Sequence, residues 1–130
     1  MSIRTSFTLA AVLAAASVPA LAFADSSGAP GYVTSLTVNT KSSDTVGSYR
    51  GSVRIREGAE PGSPNREYRW GGTICSGRDL ADGDVVLLTE ALRGRSDTQI
   101  VPRYKMGQAG ARCLVSFTLQ EPVFTDAKPQ

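Results

Sequence analysis

The sequence predicts an α+β fold with about five mostly antiparallel strands, one short helix between the third and fourth of them, and one disulfide; a small β-barrel with a short helix is the alternative. Three observations predict it. Several stretches rich in β-branched and aromatic residues alternate with period two. One stretch, beginning at Leu80, changes to spacings of three and four. The chain also has 2 cysteines, Cys75 and Cys113, within a sequence whose start reads as an export signal.

That start combines Arg4, the apolar run "FTLAAVLAAA" and the small-residue region "VPALAFA". A charged residue, a short apolar core and a small-residue cleavage region predict a secretory signal peptide over 1–24, cut after Ala24 or Ala22. No cysteine lies near the cut, so neither a lipid anchor nor stable membrane insertion after cleavage is expected. The expected location is the periplasm or the exterior, where an even pair of cysteines forms a disulfide.

After the signal, "DSSGAPG" (25–31) reads as a flexible leader and 32–119 as one domain. "YVTSLTVNT" alternates as a first strand, with Leu36 and Val38 on one face. "YRGSVRIRE" alternates as a second: Tyr49, Gly51, Val53 and Ile55 share one face, and Arg50, Ser52, Arg54 and Arg56 the other. The Pro- and Gly-rich loop at 58–65 turns the chain into "REYRW", with Tyr68 and Trp70 inward. Pairing symmetrically about that loop sets Ile55 across from Tyr68, Val53 from Trp70, Arg56 from Glu67 and Arg54 from Arg69.

"RWGGTICSG" (69–77) reads as a structural staple. Alternation from Trp70 turns Cys75 outward, so a β-bulge at Gly71–Gly72 is expected to restore the parity that pairs it with Cys113. Ser76, Arg78 and Asp79 form a turn and capping cluster. "LADGDVVLLTEALRG" then predicts an amphipathic helix with Ala81, Val85, Leu88 and Leu92 on its core face and Gly94 as its stop. A last hairpin joins "TQIVPRYKM" (98–106), with Ile100, Pro102 and Tyr104 inward, to "ARCLVSFTL" (111–119), with Cys113, Val115, Phe117 and Leu119 inward. Pro102 puts the first of these at an edge or a bulge. The tail, 120–130, reads as irregular, with Val123 and Phe124 clipping back onto the core.

With 14 Lys and Arg against 12 Asp and Glu, the chain has no general attraction for nucleic acid or anionic membrane. It has no histidine, which removes Ser-His and Cys-His activation; with both cysteines paired, it also removes ordinary zinc, copper or haem ligation. Neither a cofactor nor a metal site is expected. No two of the acidic residues stand out as a glycosidase-type pair, so the chain reads as a non-enzyme.

The functional feature is the row Arg50, Arg54, Arg56 and Arg69, extended by Arg103 and Lys105 and adjoining the small-residue loop that contains Gln108. It predicts an exported non-catalytic binding module for another protein, of inhibitor or immunity type, with an acidic surface or an envelope enzyme as partner. The alternative is a module that binds an anionic polysaccharide or peptidoglycan.

Overall fold

The computed structural model describes residues 25–122; the expected signal peptide and the residues Val123 and Phe124 lie outside the described residues. The strands are β1 (Ser26–Ser27), β2 (Tyr32–Val38), β3 (Gly51–Arg56), β4 (Asn65–Trp70), β5 (Gln99–Met106) and β6 (Arg112–Gln120), with the helix α1 (Asp82–Gly94) between β4 and β5. They form one sheet in the order β1-β5-β6-β4-β3-β2. It is mixed, because β4 and β6 run parallel through the Arg69–Cys113 pair while all other neighbours are antiparallel. The sheet is open, not a barrel, with β1 and β2 at its opposite edges.

The sixth strand comes from the segment read as a leader. Ser26 and Ser27 pair with Tyr104 and Arg103, and the Gly28 and Gly31 amides donate to the carbonyls of Pro102 and Ile100 at 2.8 and 2.9 Å. Composition marks 25–31 as loop, but the unsatisfied edge of β5 offers it hydrogen bonds that override that preference. Counting β1, the helix follows the fourth strand rather than the third. Pro102 meets neither expected setting strictly: β5 is covered at its outer side by the two-residue β1, and the inserted residue of the β5–β6 ladder is Val115 on β6, opposite the step from Arg103 to Tyr104.

The core gathers Val33, Val53, Ile55, Tyr68, Trp70, Leu88, Ala91, Ile100 and Leu114. Two register shifts re-sort the expected inward residues. One, between Val33 and Ser35, puts Val33 on the buried face with Leu36, while Val38 at the end of the strand is 53% exposed. The other leaves Val115 unpaired on β6, so Leu114 takes the buried position expected of Val115, while Phe117 and Leu119 still pack on the core. Simple alternation cannot anticipate an inserted residue.

In α1, Leu88 and Ala91 are buried and Val85 and Leu92 pack beside them. Ala81 instead precedes the helix and is exposed. It has no side-chain oxygen to cap the first turn, but the Asp84 carboxylate accepts its amide at 3.0 Å, and Asp82 and Asp84 both face the positive end of the helix dipole.

Between β3 and β4 the register is displaced by two residues from the symmetric one. Val53 lies across from Tyr68, Gly51 from Trp70, Arg54 from Glu67, and Arg56 from Asn65. A shift of two preserves which face each side chain takes, so Tyr68 and Trp70 remain inward. Their partners change: a side chain on Gly51 would overlap the Trp70 ring. The like-charged Arg54–Arg69 pairing expected from sequence does not occur.

The Tyr68 ring meets Tyr104 edge to face at 5.5 Å. Its hydroxyl is buried and makes no hydrogen bond among the described residues; burial, reinforced by the negative charge of Glu57, raises its pKa above the ordinary tyrosine value. Tyr68→Phe removes an unsatisfied polar group and is expected to stabilise the fold by about 1 kcal/mol at neutral pH. The raised folded-state pKa means that the unfolded chain deprotonates first as the pH rises past about 10. Wild-type stability falls there, so the advantage of the variant widens. Denaturation of both proteins at neutral and alkaline pH checks this; a variant less stable at neutral pH would contradict it.

Candidate functional site

The Cys75–Cys113 disulfide organises the outer face of the sheet. It joins residues 38 apart in sequence, and both sulfurs are buried. The segment leading to it begins where β4 ends: Gly71 and Gly72 both take left-handed backbone, with φ of 70° and 67°. They form a reverse turn rather than the expected bulge, since Gly71 bridges Cys75 and the Cys75 amide donates to the Gly71 carbonyl at 3.2 Å. Thr73 is exposed at the turn. The turn folds Cys75 back over β6, where the register shift at Val115 has put Cys113 on the outer face with Arg69 and Lys105 instead of inward as expected, so no added residue is needed in β4.

This staple divides the arginine row. Register places Arg69 beside Cys113 and Cys113 beside Lys105, so the three share one sheet face. The disulfide and the 71–79 segment therefore lie between the β4 charges and those of β5. On the β5 side, Lys105 pairs with Asp25 at 3.4 Å and Arg103 is exposed. Arg50 leaves the row to pair with Asp79 at 3.0 Å, beside Trp70 and the start of α1. Arg56 lies at the far end of β3, where its Nε donates to the Gly58 carbonyl at 3.0 Å.

Only Arg54 and Arg69 remain together, on either side of Glu67. The Glu67 carboxylate accepts from Arg69 Nε at 2.5 Å and lies 3.5 Å from Arg54 Nε. Arg69 also stacks its guanidinium 4.5 Å above the Tyr49 ring, so Tyr49, expected to share a face with Val53 and Ile55, belongs to this outer face. A cation over an aromatic face gains about 0.5–1 kcal/mol at an exposed site. The group is shaped rather than merely charged.

Beside it stands the β5–β6 hairpin tip. Gln108, Ala109 and Gly110 are all exposed, and Ala109 and Gly110 have φ of 56° and 71°. The Ala111 amide closes the turn onto the Gln108 carbonyl at 3.1 Å, and the Gln108 amide donates to Ile74 at 3.0 Å. Gly107 packs so closely on Cys113 and Ile74 that a side chain there would overlap both. The tip is thus tied to the disulfide turn. Glu67, Arg69, Ala109, Gly110, Ala111 and Arg112 line a shallow hollow of about 210 Å³ between tip and sheet.

Of the expected contact residues, the structure brings Arg54, Arg69 and Gln108 into this neighbourhood; Arg50, Arg56, Arg103 and Lys105 lie elsewhere. Glu67, Tyr49, Ala109 and Arg112 were not singled out from sequence. Gly110 gave a turn signal, but the left-handed alanine before it has none, because a turn with two left-handed centres ordinarily carries Asn-Gly or Asp-Gly. Among the described residues no three His, Cys, Asp or Glu side chains converge to hold a metal ion. Comparison with protein-family models, curated proteins and solved structures finds no match.

Proposed function

We propose that the chain is an exported, non-catalytic binding module that occupies another protein in the periplasm, as an inhibitor or immunity-type protein does. The contact surface is the hairpin tip together with Arg54, Glu67, Arg69 and Arg112. The observation that carries this reading is the tip itself: an exposed loop with left-handed backbone at a non-glycine residue, held by the disulfide turn at its base. A loop ordered before contact avoids much of the entropy loss of binding, and strained backbone gathers at functional sites. The division of the arginine row favours a protein partner over an anionic polymer, because a polymer would track an uninterrupted stripe whereas Arg54 and Arg69 are already bridged by Glu67.

Capture of the partner from an envelope extract, followed by affinity measurement with the purified pair, tests the reading. Arg69→Glu combined with Arg112→Glu is expected to weaken binding by about tenfold or more. The folding cost is small, since removing one partly exposed ion pair costs about 1 kcal/mol or less. Raising the ionic strength from low to moderate should leave most of the affinity, whereas polyanion binding would collapse. Full affinity in the double variant would overturn the assignment of this surface.

A further inference from the structure

The end of α1 brings together, apart from the hairpin surface, two arginines that form no ion pair among the described residues. From the sequence, Gly94 stops the helix, and a left-handed glycine after the last turn is the usual means. The structure departs from this. Gly94 keeps helical backbone, with φ −68° and ψ −14°, and is needed for close approach, since a β-carbon there would lie 2.7 Å from Thr98 Oγ1. Arg95 takes the reversal instead, with φ 48° and ψ −124°, a conformation that suits glycine and strains an arginine.

Arg95 lines an open hollow of about 430 Å³ with Tyr32, Val33, Thr34, Arg56, Leu92 and Ser96. The size lies within the range of small-molecule sites. Among the described residues no carboxylate lines it and neither Arg56 nor Arg95 forms an ion pair; the Arg56 Nε donates to the Gly58 carbonyl, which leaves its terminal nitrogens for a ligand. The hydroxyl-bearing Tyr32 and Ser96 accompany the two guanidinium groups, the Thr34 hydroxyl being directed to the Arg54 carbonyl and the Asn65 side chain, and Val33 and Leu92 supply an apolar wall. A cation at the end of α1 would by itself complement the helix dipole. That role does not call for a second arginine, contributed by β3, at the same hollow.

We propose that this hollow binds a compact hydroxylated anion, a sugar that carries a carboxylate or a phosphate. Arg56 and Arg95 grip the anionic group through charge-assisted hydrogen bonds, the hydroxyls of Tyr32 and Ser96 meet the sugar's own, and the apolar wall takes one ring face. The hollow is independent of the hairpin surface, so either assignment can fail without the other.

The test is an amide-resolved NMR titration of the oxidised protein with glucuronate, glucose 6-phosphate and neutral glucose. At least one of the two anions is expected to shift the Tyr32, Thr34, Arg56, Arg95 and Ser96 amides saturably, and which one does so identifies the anionic group. Glucose at the same concentrations should not. Arg56→Ala and Arg95→Gly should each weaken the response about tenfold or more, while Arg95→Gly raises the thermal midpoint by relieving the backbone. Arg54→Ala, on the outer face, should bind as wild type. No response to either anion, an equal response to glucose, or full affinity in Arg95→Gly would overturn the proposal.

Discussion

Replacing both cysteines, Cys75→Ser with Cys113→Ser, is expected to lower the unfolding free energy by about 4 kcal/mol, the chain-entropy value for the 38-residue loop that the disulfide closes. A domain of this size has about 5–15 kcal/mol in total, so the variant should unfold at a much lower denaturant concentration. The structure adds a local consequence. Cys113 is packed against Gly107, and Ile74 accepts the Gln108 amide, so the cross-link holds the turn that in turn holds the hairpin tip. Loss of the disulfide should therefore weaken binding of the proposed protein partner even where the variant remains folded, through release of a loop that was ordered in advance. Guanidinium denaturation measures the first effect, and amide exchange at Gln108 and Ala111 measures the second. A cost below about 1 kcal/mol with unchanged protection of the tip would show that packing alone holds this region, contrary to the chain-entropy account.

That the cysteines act as a staple was legible from their even number and from a start that reads as an export signal, without any geometry. Periodicity likewise placed the strands, and it chose the correct face for Val53, Ile55, Tyr68, Trp70 and Ile100, because burial of one sheet face depends only on odd or even position. The same argument is blind to a displacement by two residues, which leaves every face unchanged and exchanges every neighbour. The charge pattern suffered most from this. Arg54 meets Glu67 instead of Arg69, and an apparent repulsive stripe becomes a bridged triad. Inserted residues are equally hidden, as Val115 on β6 shows. The Ser26–Ser27 strand escaped notice because its stability comes from the partner edge rather than from its own residues. Arg95 escaped for a related reason: Gly94, the residue suited to reversing the chain, stands immediately before it, and only the contact with Thr98 reveals why the glycine is committed elsewhere.

Substitution of the two adjacent glycines separates turn geometry from packing. Gly72→Ala should destabilise the protein by about 3 kcal/mol or more, and Gly71→Ala by about 1–2 kcal/mol. Both residues have left-handed φ, 67° and 70°, and an L side chain in that conformation costs about 1–2 kcal/mol. They differ in what a new β-carbon would meet. At Gly71 it would contact the Arg50 side chain, whose Cγ and Cδ, 2.6 and 2.8 Å away, can rotate aside on a 61% exposed chain, while its Cβ at 3.0 Å must give by a few tenths of an ångström. At Gly72 it would overlap the Ser48 carbonyl and the Tyr49 amide. Those are backbone atoms fixed by the hydrogen bonds Thr73 to Gly47 and Ile74 to Ser48, at 3.0 and 2.9 Å. Relief would require breaking those bonds, and the penalty resembles that of overpacking a core, typically about 1–3 kcal/mol on top of the conformational cost. Because the same turn carries Cys75 back over β6, Gly72→Ala should also slow formation of the disulfide during refolding, while Gly71→Ala should not. Equal destabilisation by the two alanines would mean that only the backbone angle matters at this turn, and that its packing against residues 47–49 contributes nothing.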